Sequence, residues 1–240
     1  MPEAKLTVSL IACTPEPEKV CALAARTCYS AEGGAELLQK VQSGDQSAFL
    51  RRVMASGHLS VLEHASFTFS VEGVSRVLLA QLTRHRIASF AVQSQRYVSL
   101  AEGFSYIIPP AIKALGGEAT AEYTNQMAQM HEWYCEWQEK LGKAGESANE
   151  DARCVLPSAA ETHITLTMNA RELLHFFSLR CCRRAQWEIR EMAIQMLKLA
   201  KAEAPTLFEK AGPSCVSGAC PEGAKSCSLS AEMREYFIKL

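Results

Sequence analysis

Two short segments alternate between apolar and polar residues, and this alternation restricts the fold more than any other feature of the chain. The first is HASFTFSV, residues 64–71, and the second is THITLTMN, residues 162–169. Successive side chains of a strand point to opposite faces, so each segment predicts a strand with one buried and one polar face. Such strands are typical of antiparallel sheets, whereas strands of parallel sheets are apolar on both faces. The predicted buried positions are Ala65, Phe67, Phe69, Val71, Ile164, Leu166 and Met168.

Helical spacing dominates most of the remaining chain. KLTVSLIAC, residues 5–13, is apolar enough to predict a further buried strand. Asn169 followed three residues later by Glu172 has the spacing of a capping box and predicts a helix start. Pro205 cannot continue a helix, so we expect it to end the last long one. Together these features predict an α+β fold in which an antiparallel sheet is flanked by helices. The helical segments are residues 17–29, 35–42, 46–58, 74–86, 119–145, 170–182 and 185–203.

The C-terminal segment differs in composition from the rest of the chain. We expect a single domain over residues 1–211 and a cysteine-containing tail over residues 212–240, which holds Cys215, Cys220 and Cys227. Three soft ligands could hold a metal, but their spacing matches no familiar site, so free thiols are the favoured interpretation. The first residues show no basic region ahead of a long apolar core, which argues against a signal peptide and for a cytoplasmic protein.

Positive charge is concentrated in one segment of an otherwise balanced chain. The formal net charge is -1, yet no acidic residue lies between Glu72 and Glu102, where four arginines fall. A near-neutral protein with one cationic segment is more typical of a binder of a small anion than of a nucleic-acid-binding surface. The four arginines are Arg76, Arg84, Arg86 and Arg96.

Two segments combine charged residues with helical faces that should be buried. In residues 74–86, Gln81 and His85 fall on the same predicted buried arc as Val77, beside Arg84 and Arg86 at the helix end. The plain alternative is a core histidine and a core glutamine that bond to backbone. In residues 170–182, Arg180 shares one face with three large apolar residues, and a buried guanidinium requires a partner or a ligand. The three apolar residues are Leu173, Phe176 and Phe177.

Other polar residues are ambiguous on spacing alone. Arg171 and His175 share a polar helix face, Arg153 stands at a helix-to-proline junction, and His58 and Ser60 precede a strand. Each could belong to a site or be solvated. No glycine-rich dinucleotide fingerprint or P-loop occurs, so a phosphorylated ligand would have to be bound by arginine side chains.

Several motifs resemble those of the flavin-dependent thymidylate synthases. Arg84-His85-Arg86, followed after seven residues by Ser94, is similar to the RHR-x7-S signature of that family. The resemblance extends to five blocks in the family's order and spacing. These blocks are AARTCYS, HLSVLEHASFTF, RHRIASFAVQSQRY, ARCVLP and NARELLHFFSLRCCRRAQWEIR.

The resemblance implies a fold, a reaction and an assembly. The family fold is α+β, and its members are homotetramers whose subunits share FAD and dUMP sites. The implied reaction methylates dUMP to dTMP with carbon from 5,10-methylenetetrahydrofolate and reducing equivalents from NADPH, delivered through FAD.

The resemblance also assigns residues to roles. Arg180 would stabilise the anion formed when N3 of the uracil ionises, which makes it the implied catalytic residue. The implied FAD contacts are His58, Ser60, Arg84, His85, Arg86, Asn169, Arg171 and His175. The implied dUMP contacts are Gln81, Arg84, Ser94, Gln95, Arg96, Arg153 and Arg180.

The chain departs from the family pattern at two places. Ala91-Val92 stands where many members carry Asn-Glu, so no carboxylate side chain is available there. Arg184 stands where others carry His, which puts a flavin contact at that position in doubt.

Two other functions were weighed against this expectation. One is a flavin- and folate-dependent uracil methyltransferase acting on RNA, and the other is a nucleic-acid-binding protein that uses the basic segment 76–96. The near-neutral charge and the lack of an RNA-binding module count against the first hypothesis. The second predicts an affinity that falls steeply with salt, whereas a dUMP pocket would show a weaker, ligand-specific salt dependence.

Overall fold

The computed structural model describes residues 1–142 and 145–240 of the chain. Its strands form a four-stranded antiparallel sheet in the order β1-β2-β4-β3. The two alternating segments are confirmed as the neighbouring strands β2 and β4, where the hydroxyls of Thr68 and Thr167 lie 2.9 Å apart on the polar face. The sequence pattern does not reveal β3. The strands are β1 Thr7–Cys13, β2 Ser66–Ser75, β3 Ala88–Val92 and β4 Glu161–Asn169.

Helices make up most of the rest of the described chain and confirm the predicted α+β class. The helix predicted for residues 119–145 begins at Gly117 and ends at Lys140; residues 143 and 144 lie outside the described residues. None of the helices in the described residues is long and apolar enough to cross a membrane. The helices are α1 Pro17–Thr27, α2 Gly34–Gln42, α3 Ser47–Ala55, α4 Arg76–Leu82, α5 Pro110–Ala114, α6 Gly117–Lys140, α7 Glu146–Ala152, α8 Ala170–Arg180, α9 Trp187–Glu203 and α10 Ser230–Lys239, with 3₁₀ turns at Leu59–His64, Arg153–Val155 and Gly223–Lys225.

The helix predicted over residues 74–86 is shorter than its periodicity suggests. Val74 and Ser75 still belong to β2, and the Ser75 hydroxyl accepts a hydrogen bond from Leu78 N at 3.1 Å as the N-cap of α4. The helix ends at Leu82, and Val77, predicted to be buried, is 43% exposed. Strand pairing and capping therefore override the helical periodicity. His85 is buried, as predicted, but it lies beyond the helix end.

The chain divides into two compact units that alternate along the sequence. Unit 1 comprises Met1–Thr7, Val71–Arg84 and Phe90–Thr165, and unit 2 comprises Val8–Ser70, His85–Ser89 and Leu166–Leu240. A single domain over residues 1–211, with the rest as a tail, stays a prediction.

Unit 1 has a core of apolar residues that includes side chains of α5 and α6. Tyr106 and Met127 are central members of this cluster. Gly73 lets the residues just before β1 approach β2 closely, because a Cβ at that position would stand 1.9 Å from the carbonyl oxygen of Lys5. Its φ of +70° is also one that residues with a Cβ rarely adopt. No other residue type fits this position without moving the strand.

Unit 2 has an aromatic core that reaches the C-terminal segment. The Phe208 ring lies edge-on to Phe67 and to Phe177, with centroids 5.4 Å and 6.0 Å away. Burial of each such side chain contributes about 1.5–3 kcal/mol to folding. In α10, Phe237 is fully buried, and its ring carbons leave only glycine room at position 212. The segment after Gly212 is therefore packed onto the core of unit 2.

Candidate active site

Helix α8 supplies the centre of the candidate site in unit 2. Its N-cap is Asn169, whose Oδ1 accepts a hydrogen bond from Glu172 N at 2.9 Å, as the capping-box spacing predicts. This start sets the helix so that Leu173, Phe176 and Phe177 face the core and are fully buried. Charged side chains flank this apolar stripe: Glu172 precedes it and Arg180 follows it.

Glu172, His85 and Arg180 form a hydrogen-bonded chain in unit 2. Nδ1 of His85 lies 3.1 Å from Oε1 of Glu172, and Nε of Arg180 donates to Nε2 of His85 at 3.0 Å. His85 is 5% exposed and Glu172 is 8% exposed, so both polar groups are inside the unit. One partner of the half-buried Arg180 is thus an imidazole backed by a carboxylate. The spacing of Glu172 from Asn169 indicates only a capping residue, so this role of Glu172 is not visible in the sequence.

The hydrogen-bond directions determine where the proton of His85 sits. The Nε of an arginine can only donate, so Nε2 of His85 must accept and must carry no hydrogen. The single ring hydrogen therefore lies on Nδ1, which donates to the Glu172 carboxylate. Burial lowers the pKa of His85 from its ordinary value of 6.5; the bond to Glu172 opposes this shift, and the Arg180 charge adds to it. His85 is accordingly a neutral acceptor at neutral pH.

The same region contains the one cluster of potential metal ligands found among the described residues. Ligand atoms of His85, Glu172 and His175 lie within 4.8 Å of one another. His85 offers no lone pair to a cation in this arrangement, because Nδ1 carries the hydrogen and Nε2 accepts from Arg180. The cluster is therefore explained by hydrogen bonding.

Most of the residues predicted to contact FAD are in unit 2. The 3₁₀ turn Leu59–His64, which includes Ser60, packs against α8, which carries Arg171 and His175. The His175 ring lies with its centroid 5.9 Å from that of His85. Of this set only Arg84 belongs to unit 1, where it is exposed one residue before the unit changes.

Two members of this set have partners that the sequence analysis did not identify. Nδ1 of His58 lies 3.0 Å from the hydroxyl of Tyr29, and Arg171 forms an ion pair with Glu63. Arg171 and Glu63 are both about half exposed, so solvent screens this pair and it contributes little to stability. An anionic ligand could therefore replace Glu63 at low cost.

Most of the residues predicted to contact dUMP are in unit 1. Gln81 is half-buried on the last turn of α4, and Ser94 and Gln95 are half-buried after β3. The Ser94 hydroxyl accepts from Arg96 N at 3.2 Å, which closes a turn at this point. Arg180 is the one member of this set that belongs to unit 2.

Arg96 is held by acidic residues of α7. Its Nη2 lies 2.6 Å from Glu146 Oε1, and its Nε lies 3.0 Å from Glu150 Oε2 without hydrogen-bond alignment. Asn149 also donates to the Arg96 carbonyl oxygen at 3.0 Å. The Arg96 guanidinium is therefore positioned within unit 1, and a phosphate would have to compete with two half-exposed carboxylates.

Arg76 is a cationic neighbour of Arg153 that the sequence analysis counted but did not assign. Its Nη1 donates to the carbonyl oxygen of Gln93 at 3.3 Å. Burial lowers the pKa of Arg76, and the positive charge of Arg153 lowers it further. Arg153 Nε donates to the Glu150 carbonyl oxygen at 3.1 Å, which is a neutral partner. Two neighbouring guanidiniums with neutral acceptors favour an anion between them.

The two departures from the family pattern have different surroundings. Ala91 is exposed and Val92 is half-buried in β3, so no carboxylate is supplied there. Arg184 pairs with Glu222 of the C-terminal segment, which directs its charge away from the α8 set.

Comparisons with known proteins identify the family of the chain. Residues 9–206 match the family model described as "Thymidylate synthase complementing protein". The chain belongs to this family. A protein of Geobacter sulfurreducens called flavin-dependent thymidylate synthase is 50% identical over 237 residues, covering 98% of this chain and 99% of its own.

More distant relatives carry the same name. The protein of Clostridium tetani is 48% identical over 242 residues, which cover 96% of each chain. That of Pyrococcus abyssi is 44% identical over 223 residues, or 90% of this chain and 89% of its own. The expected family is confirmed over nearly the whole chain, whereas the roles of individual residues stay predictions.

Proposed function

We propose that this protein is a flavin-dependent thymidylate synthase. It would convert dUMP to dTMP with a methylene carbon from 5,10-methylenetetrahydrofolate and reducing equivalents from NADPH. The observation that carries the proposal is Arg180, a permanent cation oriented by a buried, neutral His85. Neither the RNA-methylating nor the nucleic-acid-binding alternative is favoured by any contact of the described residues.

Arg180 is the group proposed to act on the uracil ring. Loss of the N3 proton leaves a negative charge that is shared by the ring, which makes C5 more nucleophilic. A guanidinium stabilises that anion and cannot take up the proton itself. Since Nε of Arg180 is oriented by His85, the contact with the substrate would use its Nη groups. Removing one such preorganised donor typically costs about 2.7–4 kcal/mol in the reaction step.

The residues of unit 2 fit a flavin cofactor with anionic phosphates. Arg86, Arg171 and His175 are exposed donors, and within the described part of the chain Glu63, which is half exposed, pairs with Arg171. Together with His58, Ser60 and Asn169 they would hold FAD, which supplies the redox chemistry that amino acid side chains lack. Both ring nitrogens of His85 are engaged within the chain, so its proposed FAD contact would come from its backbone.

The residues of unit 1 fit the phosphate of a nucleotide. Arg96 and Arg153 would bind it, with Ser94 as a hydroxyl donor, while Arg84, Gln81 and Gln95 complete the proposed dUMP set. Planar guanidiniums suit phosphates through paired hydrogen bonds. A homotetramer with shared sites and a cytoplasmic location belong to the same proposal, as expectations carried over from the family resemblance.

The proposal is tested by purifying the protein and its Arg180→Ala variant. The wild-type protein should be yellow, bleach with NADPH and form dTMP when dUMP and methylenetetrahydrofolate are added. The variant should keep its flavin and lose dTMP formation by about a hundredfold or more. Arg52→Ala serves as the matched control, because Arg52 is an exposed arginine outside the proposed sites. A colourless protein, or full dTMP formation by Arg180→Ala, would contradict the proposal.

A further inference from the structure

Four cysteines line one cavity in unit 2 that the proposed function does not use. The cavity measures about 310 Å³ and lies between the residues that follow α8 and the C-terminal segment. Cys182 lies directly after α8, and the C-terminal segment supplies Cys215, Cys220 and Cys227. The sequence shows only the three tail cysteines together, and the fold adds Cys182 as the fourth.

The C-terminal cysteines are carried on a segment that other contacts hold in place. Arg234 of α10 donates from Nε to the Cys215 carbonyl oxygen at 2.7 Å and from Nη2 to that of Gly218 at 2.9 Å. Ser214 N donates to the Ser178 carbonyl oxygen at 3.3 Å, which joins the segment to α8. Cys215 is buried at this junction. Hydrogen bonds therefore hold the cavity wall with its three thiols in a defined position, which an unstructured tail would not have.

The four thiols line one cavity, but their sulfurs are farther apart than the ligand atoms around a bound metal ion. The side chains of Cys182, Cys215, Cys220 and Cys227 all line the same cavity of about 310 Å³, so their sulfurs share one small volume. No three of the four sulfurs lie within 4.8 Å of one another in the described residues. Rotation of a cysteine between χ1 rotamers moves its sulfur by about 3 Å. Small side-chain rotations can therefore bring together thiols that share a cavity wall.

We propose that Cys182, Cys215, Cys220 and Cys227 bind one Zn²⁺ ion in a tetrahedral four-thiolate site. Four cysteine sulfurs are a complete ligand set for a structural zinc ion, with Zn–S distances of about 2.3 Å. All ten cysteines of the chain are free, so no disulfide competes for these ligands. Binding releases the four S–H protons and leaves a centre of charge -2, with no oxidation or reduction.

The surroundings of the cavity suit a centre with that negative charge. Arg180, Arg183 and Arg184 also line it, and cationic neighbours favour the thiolate form of cysteine. Arg184 is already paired with Glu222, whereas Arg183 is exposed at the same cavity. The ion would tie the residues directly after α8 to the C-terminal segment, two positions beyond Arg180. This role is structural and does not depend on the proposed reaction.

The test is metal analysis of the full-length protein purified anaerobically with a non-thiol reductant. We expect about one zinc per chain in the wild type and in Cys28→Ser, whose exposed thiol is outside the cavity. Cys182→Ser, Cys220→Ser and Cys227→Ser should each lose most of the zinc. Equal zinc content in all variants, or a wild-type protein without zinc, would overturn the proposal, as would iron with acid-labile sulfide in the cavity.

A second measurement covers the case in which the cysteine variants fail to fold. Titration of the folded wild-type protein with an organomercurial should release the zinc to a chromogenic chelator as four thiols react. Cobalt substituted for zinc should show the intense ligand-field bands of a tetrahedral thiolate site at wavelengths beyond the flavin absorption. Zinc release without thiol modification, or an octahedral cobalt spectrum, would exclude a four-thiolate site. Flavin content and dTMP formation are measured separately, so failure of either proposal is recognised independently.

Discussion

Replacement of Glu172 by alanine should impair the proposed function of Arg180, although Arg180 itself is not changed. Glu172 accepts the Nδ1 hydrogen of His85, which leaves Nε2 as an acceptor for Arg180. Without the carboxylate, one tautomer of His85 has an unpaired buried N–H. The other places a ring N–H against the N–H of Arg180. Either way the orientation of Arg180 is lost.

The size of the effect follows from the burial of the two groups. His85 is 5% exposed, and leaving a buried donor unpaired costs about 1–3 kcal/mol. If this cost destabilises the conformation in which Arg180 is oriented by His85, the turnover number should fall about ten- to hundredfold. Each tenfold decrease in rate corresponds to about 1.4 kcal/mol. The KM for dUMP should change less, because the phosphate contacts are proposed to come from residues of unit 1.

Glu172→Gln is the matched control for this experiment. Its carbonyl oxygen can accept the same Nδ1 hydrogen, so the tautomer and the position of Arg180 are kept although the charge is lost. The assay is steady-state dTMP formation by both variants, with flavin content and thermal unfolding measured on the same preparations. We expect Glu172→Gln to retain most of the turnover that Glu172→Ala loses.

Two outcomes would refute the reasoning. A folded, flavin-containing Glu172→Ala that turns over at the wild-type rate would show that His85 does not orient Arg180. Equal losses in Glu172→Ala and Glu172→Gln would show that the charge of Glu172 matters and that the hydrogen-bond direction does not.

Three further predictions concern stability. The pKa of His85 is lowered in the folded state, so as the pH falls the unfolded chain takes up a proton on His85 before the folded protein does. The free energy of unfolding should therefore fall as the pH drops below 6.5, by at most about 1.4 kcal/mol per pH unit. The decrease should level off below the pKa of His85 in the folded state. Urea titrations at several pH values measure this slope, which His85→Gln should remove; an unchanged slope in that variant would assign it to other groups. Gly73→Ala should destabilise the protein by several kcal/mol, because its Cβ would stand 1.9 Å from the Lys5 carbonyl oxygen, and a urea midpoint equal to that of the wild type would contradict the contact. Phe237→Ala should cost about 3–5 kcal/mol of local packing and expose α10 to trypsin, whereas the exposed Ile238→Ala should not; equal digestion rates would show that α10 is not anchored by Phe237.

Local periodicity and short-range spacing account for the parts of the fold that were predicted correctly. The alternation in β2 and β4, the apolar face of α8 and its N-cap at Asn169 each depend on residues a few positions apart. Such patterns act through side-chain direction and capping, which the neighbouring sequence controls. The family signature around Arg84-His85-Arg86 is likewise a matter of spacing along the chain.

The errors arise where a distant segment changes the outcome. Helical spacing extends through residues 74–86, but pairing of β2 retains Val74 and Ser75, and the chain leaves the helix after Leu82 to enter β3. Strand pairing joins positions far apart in sequence, so its contribution to stability cannot be read from a short stretch of the chain.

The chemistry of the site depended on the tertiary structure for the same reason. The need of Arg180 for a partner follows from its place on an apolar helix face, but the identity of that partner does not. His85 and Arg180 are 95 positions apart, and Glu172 is 87 positions from His85. A hydrogen bond depends on distance and direction between two atoms, and only the folded chain brings these three side chains within reach of one another. Likewise, the tail sequence shows three cysteines, and folding places Cys182 beside them on the wall of one cavity.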